Sequence, residues 1–171
     1  MKLTMKRKIL SGLVLLLVII GSSYLLFKPY TLNGQGMNPN FTNSQINLSN
    51  KLSYMFSSPK RGDVVVFKID GMMHFKRIIG LPNEKLKIEK GNVYINGDLL
   101  EEPYLNSQNS TFLLRTDRYN EGEEFTISEK EYFTLGDNRS NSKDSRNYGT
   151  VSVDKIITRL TNICILACNK K

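Results

Sequence analysis

From residue 9 to residue 27 the chain runs without a charge, ILSGLVLLLVIIGSSYLLF. Wound as a helix rising about 1.5 Å per residue, that run reaches roughly 28 Å, close to the hydrocarbon thickness of a bilayer. The pattern then changes. KPYTLNGQGMNPNF is broken by Pro and Gly and reads as an extended entry ending in a turn, and the polar stretch after it reads as loop or short strand. Short apolar runs follow, DVVVFKI at 63–69 and HFKRIIGL at 74–81, joined across the Asp-Gly of DGMM as in a tight hairpin. Two alternating runs, 85–89 and 92–95, each close on a Gly-containing turn, so an antiparallel meander is expected.

Beyond it, EEPYLNSQNSTFLLRTDRYNEGEE is polar and punctuated, a surface excursion or small lobe over about 100–125. EFTISEKEYFTLGDN returns to strand. The apolar spacing of DKIITRLTNICILACNKK suits a final strand and a short helix equally. The organisation predicted is a basic tail at 1–8, a transmembrane anchor at 9–27 and a mainly β domain at 28–171.

Charge adds an orientation. Lys2, Lys6, Arg7 and Lys8 precede the apolar run and only Lys28 stands just after it. The positive-inside bias then puts the N-terminus in the cytoplasm, leaving the bulk of the chain outside a single-pass cell-membrane anchor. A cleavable signal peptide is the rival reading, but no small-x-small cleavage site follows the run. The formal net charge of +8 does not point to nucleic acid, because five of the 24 basic residues lie in the first 28 positions, where no acidic residue does. The remainder, 19 basic against 16 acidic, is too weak a field and forms no basic stripe. A basic surface facing anionic lipid or wall polymer suits it better.

Cys164 and Cys168 stand four apart near the C-terminus. A strand holds such a pair too far apart to bridge and a helix bridges it only under strain, so free thiols are expected. With His74 the only histidine, no metal quartet can be assembled, and no cofactor is expected.

Candidate chemistry is concentrated in three separated segments, GQGMNP at 34–39, HFKRIIGLP at 74–82 and LGDNRSNSKDSRNYG at 135–149. The last packs Asp137, Arg139, Asp144 and Arg146 among three serines, a composition suited to a rigid, hydrogen-bonded loop. In order and spacing these segments resemble the boxes of the type I signal peptidases, membrane-bound proteases that use a Ser/Lys dyad. The resemblance implies a mainly β, signal-peptidase-like fold of two antiparallel sheets on one N-terminal transmembrane helix. It also implies roles: Lys76 as general base, Arg77 after it, Ser142 orienting the lysine, and Asp144 with Arg146 as an ion pair under the site. Met37 and Pro39 would be packing residues of the nucleophile loop, and Gly34 a lining residue of the oxyanion hole. A lysine can act as base because burial disfavours the charged ammonium and lowers its pKa by several units.

The departures weigh more. Gly36 stands where the family has its nucleophilic serine, Asn40 replaces a threonine or serine, and Asn83-Glu84 replaces Gly-Asp. Without a hydroxyl at position 36, covalent catalysis by that residue is lost. Ser44 would need a different loop path to substitute, and nothing in the sequence orients His74 as its base. The expectation is a non-catalytic relative that binds secreted-protein or pilin precursor peptides, as serine-less relatives associated with pilus assembly do, with sortase or pilin assembly components as further partners. The alternative is an active signal peptidase I, by a variant mechanism or with Gly36 an engineered replacement.

Overall fold

A computed structural model describes residues 2–50, 52–106, 110–114 and 118–168, and within the first element the side chains of 7–18, 21 and 26. That element is helix α1, Lys2–Leu26. Its described apolar side chains from Ile9 to Val18 all project into solvent. Among the described residues no helix is long and apolar enough to cross a membrane, and the side chains at 19–20 and 22–25 of the expected span lie outside them.

Eleven strands follow: β1 Phe27–Thr31, β2 Ile46–Asn50, β3 Val64–Ile69, β4 Met72–Gly80, β5 Lys85–Glu89, β6 Asn92–Ile95, β7 Asp98–Leu99, β8 Glu124–Thr126, β9 Glu131–Leu135, β10 Val151–Ser152 and β11 Ile156–Leu166. A four-residue helix, α2, Ser145–Tyr148, precedes β10. The strands form a seven-stranded sheet, β1-β2-β11-β3-β4-β9-β10, and a four-stranded sheet, β7-β6-β5-β8. Every pairing described is antiparallel.

The β3–β4 hairpin turns on Asp70 and Gly71, both at positive φ, which suits the Asp-Gly dipeptide. Why β3 reads VVVF without alternation is clear from its two faces. Val64 and Val66 pack with Leu32, Met37, Phe41, Phe75 and Leu160. Val65 and Phe67 pack with Ile78, Tyr132 and Val151 on the other side. A strand covered on both faces has no reason to alternate.

A third cluster joins the sheets: Ile79, Phe133 and Leu135 of the large one meet Leu86, Ile88, Val93 and Ile95 of the small one. The excursion after β7 packs Leu100, Tyr104, Leu113 and Tyr119 against this cluster. The ambiguous C-terminal segment is a strand, β11, because it fills the place between β2 and β3.

The cysteines correct the expectation of free thiols. Cys164 and Cys168 form a disulfide with their Cα atoms 5.7 Å apart. β11 ends at Leu166 and Ala167 takes a positive φ, so the chain doubles back and brings the pair within bridging distance. Neither regular geometry considered from sequence applies there.

Candidate active site

Three loops and strands meet where the sequence segments converge. The 34–39 loop follows β1, Lys76 stands in the middle of β4, and the loop after β9 leads into α2. The loops are tied by backbone and side chain: the Asn138 amide donates to the Gly36 carbonyl at 3.1 Å, and Asn138 Nδ2 donates to the Gln35 carbonyl at 3.1 Å. Such an approach needs Gly136. A Cβ there would collide with the Ser142 side chain and the Gly36 carbonyl.

Gly36 lies outside the left-handed region, and a Cβ built on it would stand 3.2 Å from Lys76 Nζ, 3.4 Å from Ser142 Oγ and 3.6 Å from the Asn141 carbonyl. A hydroxyl carried by that Cβ would therefore sit within reach of the lysine amine. Lys76 is only 8% exposed. Burial pulls its pKa below the ordinary lysine value, opposed by the Asp144 and Asp137 carboxylates and aided by Arg146. Ser142 Oγ is buried with no hydrogen-bond partner among the described residues.

The two acids nearest Lys76 are committed elsewhere. Arg146 grips Asp144 through Nε at 2.8 Å and Nη2 at 2.9 Å, and Asp144 also caps α2 and accepts from the Gly136 amide at 3.0 Å. Arg77 grips Asp137 through Nε at 2.8 Å and Nη2 at 2.6 Å, donates to the Gly62 carbonyl, and lies 4.1 Å from the Tyr104 ring centre. Asn40 Nδ2 donates to Asp137 at 2.9 Å and so ties the end of the 34–39 loop to this pair.

Met37 is buried in the cluster beneath the loop, whereas Pro39 is exposed on its far side. Gly34, at positive φ, donates its amide to Asn43 Oδ1 at 2.8 Å. That amide is thus occupied, and Gly34 has no side chain to offer a second donor. His74 stacks on Phe67 at 5.5 Å and meets Tyr148 edge-on. Burial first, then the Lys76 and Lys143 cations, push its pKa down, and Ser44 is absent from the cleft lining.

The cleft over Gly36 and Lys76 encloses about 300 Å³, with Met72, Met73, His74 and Phe75 along one wall and Asn141, Ser142 and Lys143 along the other. A larger cavity, about 460 Å³, lies by Pro39, Arg77 and the disulfide and includes none of Gly36, Lys76 and Ser142. Chemistry places the site in the smaller one. Sequence reasoning missed Gly136, whose need for a bare backbone shows only when the loops are stacked. It also missed the pairing of Arg139 with Glu102, which joins the loop to the excursion 37 positions earlier.

Residues 5–165 match the family model for signal peptidase, peptidase S26. Signal peptidase IB of Staphylococcus aureus (strain COL) is 30% identical over 92% of this chain and 90% of its own length. Signal peptidase I of Bacillus amyloliquefaciens is 35% identical over 71% of this chain and 66% of its own. A crystal structure of a signal peptidase I from Enterococcus faecalis V583 is 34% identical, covering 61% of this chain and 98% of that one with a TM-score of 0.49. With the family model spanning both loops and the lysine strand, the chain belongs to the signal peptidase, peptidase S26, family.

Proposed function

We propose that this protein is a non-catalytic signal peptidase relative that binds the peptides its family cleaves. The observation that carries the reading is the point at Gly36 from which a side chain would reach Lys76 Nζ, 3.2 Å away, where no oxygen exists. A lysine base without a hydroxyl to deprotonate cannot form an acyl-enzyme. The surrounding cleft and its donors remain suited to holding a peptide. Precursors of secreted proteins, pilins among them, are the ligands this reading assigns, with sortase or pilin assembly components as associated partners and pilus assembly as the setting. The uncharged run at 9–27 serves as a single-pass anchor with its N-terminus in the cytoplasm.

Cleavage of a signal-peptide substrate by the unaltered chain and by Gly36→Ser tests this. The added Cβ meets first the flexible end of Lys76, so the variant is sterically admissible. The unaltered chain should show no cleavage and Gly36→Ser a measurable rate. Cleavage by the unaltered chain at a rate comparable to the variant's would refute the reading. For the accessory role, capture from membranes that recovers no secreted-protein precursor or pilin would remove its support.

The buried Lys76 favours a second reading in which its amine activates a water directly. Cleavage by the unaltered chain that disappears in Lys76→Met would establish that alternative.

A further inference from the structure

We infer that the Gly36 cleft is a receptor for the free C-terminal carboxylate of a peptide, the end left behind by an endoproteolytic cut. The inference rests on the non-catalytic reading above and changes its peptide ligand from an intact precursor to the cut end that a precursor leaves.

An acylated serine defines the shape that such a site holds. Its acyl carbon is trigonal and carries two oxygens, one held by amide donors and one contributed by the serine itself. A free carboxylate has the same trigonal carbon but brings both oxygens with it. It can occupy the acyl position only where no side-chain oxygen already stands there. Gly36 meets that condition, since nothing approaches the place of its missing Cβ closer than 3.2 Å.

Two donor groups stand nearest this place, with the Asn141 carbonyl behind them at 3.6 Å. Lys76 Nζ and Ser142 Oγ lie 3.2 Å and 3.4 Å from it. Ser142 Oγ is buried and lacks a partner among the described residues. A buried hydroxyl left unmatched costs free energy that a ligand acceptor would recover.

Charge points the same way. The described residues lining the cleft include Lys76 and Lys143 and no Asp or Glu. Behind the lining, Asp144 and Asp137 are each held in a two-point grip by Arg146 and Arg77, which neutralises them locally. Burial weakens the hold of Lys76 on its proton and no ion pair steadies the amine among the described residues, so an arriving carboxylate supplies the anion that restores its charge. An uncut peptide offers one carbonyl oxygen and no charge at that point. Peptides that satisfy this site come from an endopeptidase acting beforehand, so the protein acts after cleavage rather than before it.

Fluorescence anisotropy on the full chain in detergent micelles tests the inference with three labelled peptides. One is the end of a signal peptide terminating in a free carboxylate, the second the same peptide as a carboxamide, and the third the uncut peptide spanning the cleavage site. The carboxylate should bind about tenfold to a hundredfold more tightly than the carboxamide, the range of a charge-assisted hydrogen bond. Lys76→Met should abolish that preference and Gly36→Ser should weaken it, because its Oγ takes the place of the second oxygen. The central contrast is read on the unaltered chain and so depends on no variant folding. Equal binding of carboxylate and carboxamide, with the spanning peptide left intact, overturns the inference and leaves the non-catalytic reading standing. Cleavage of the spanning peptide overturns that reading instead, and failure of all three peptides to bind overturns both.

Discussion

Lys76 is pulled in two directions, and burial prevails. Loss of solvent lowers its pKa more than the Asp144 and Asp137 carboxylates restore it. The unfolded chain keeps that lysine protonated up to its ordinary range, while the folded chain releases the proton at lower pH. Between those two values the unfolded state binds more protons, so stability rises with pH. Lys76→Met should therefore raise the melting temperature near neutral pH, and the gain should shrink toward zero as pH climbs into the usual lysine range. Thermal unfolding at pH 7 and pH 10 checks this; a gain of equal size at both would refute the burial-driven shift. In Gly36→Ser the same titration should make cleavage increase with pH, since only the neutral amine accepts the serine proton. The sequence exposed Lys76 and Gly36 by their place in short motifs. It did not expose that the Gly34 amide is occupied by Asn43, because a hydrogen bond across the loop leaves no mark on residue order.

At the level of elements, alternation was legible where one face of a strand meets solvent. β5 at Lys85–Glu89 and β6 at Asn92–Ile95 coincide with the runs read from sequence, and the turn chemistry located the β3–β4 hairpin. The end of the chain was not legible, since apolar spacing there served strand and helix alike; pairing with β2 and β3 decided for strand. The disulfide escaped for a related reason, as the reversal at Ala167 belongs to neither regular geometry. Between β9 and α2, Gly136 sets how closely two loops approach. Gly136→Ala places a methyl against backbone as well as side chain, and overpacking of this kind costs about 1–3 kcal/mol. Chemical denaturation should show that loss. Placed in the Gly36→Ser background, Gly136→Ala should also abolish the recovered cleavage by separating positions 36 and 142.

Across the whole molecule, buried ion pairs connect segments that sequence presents as unrelated. Arg77 reaches Asp137 across 60 positions, and Arg139, wholly buried, reaches Glu102 in the excursion that precedes β8. Removing one member of such a pair leaves a charge stranded in low dielectric, so Glu102→Ala should cost about 3–5 kcal/mol. Urea unfolding measures it, and a change within experimental scatter would show that the excursion does not brace the site loop. The sequence by itself determined the strand succession of the meander, the basic tail before an uncharged run, the cluster of opposed charges at 135–149 and the missing hydroxyl at 36. Those follow from residue type and near-neighbour spacing, which the periodicity of strands and the chemistry of side chains convert directly into local structure. Only the tertiary structure decided that Arg77 holds Asp137, that Ser142 and Lys76 both face the place of the absent Cβ, and that the terminal cysteines meet. The first two depend on distances between residues far apart in the chain, set by how the sheets and loops pack, and the third on a chain reversal at Ala167 that belongs to no regular period, so no local pattern encodes them.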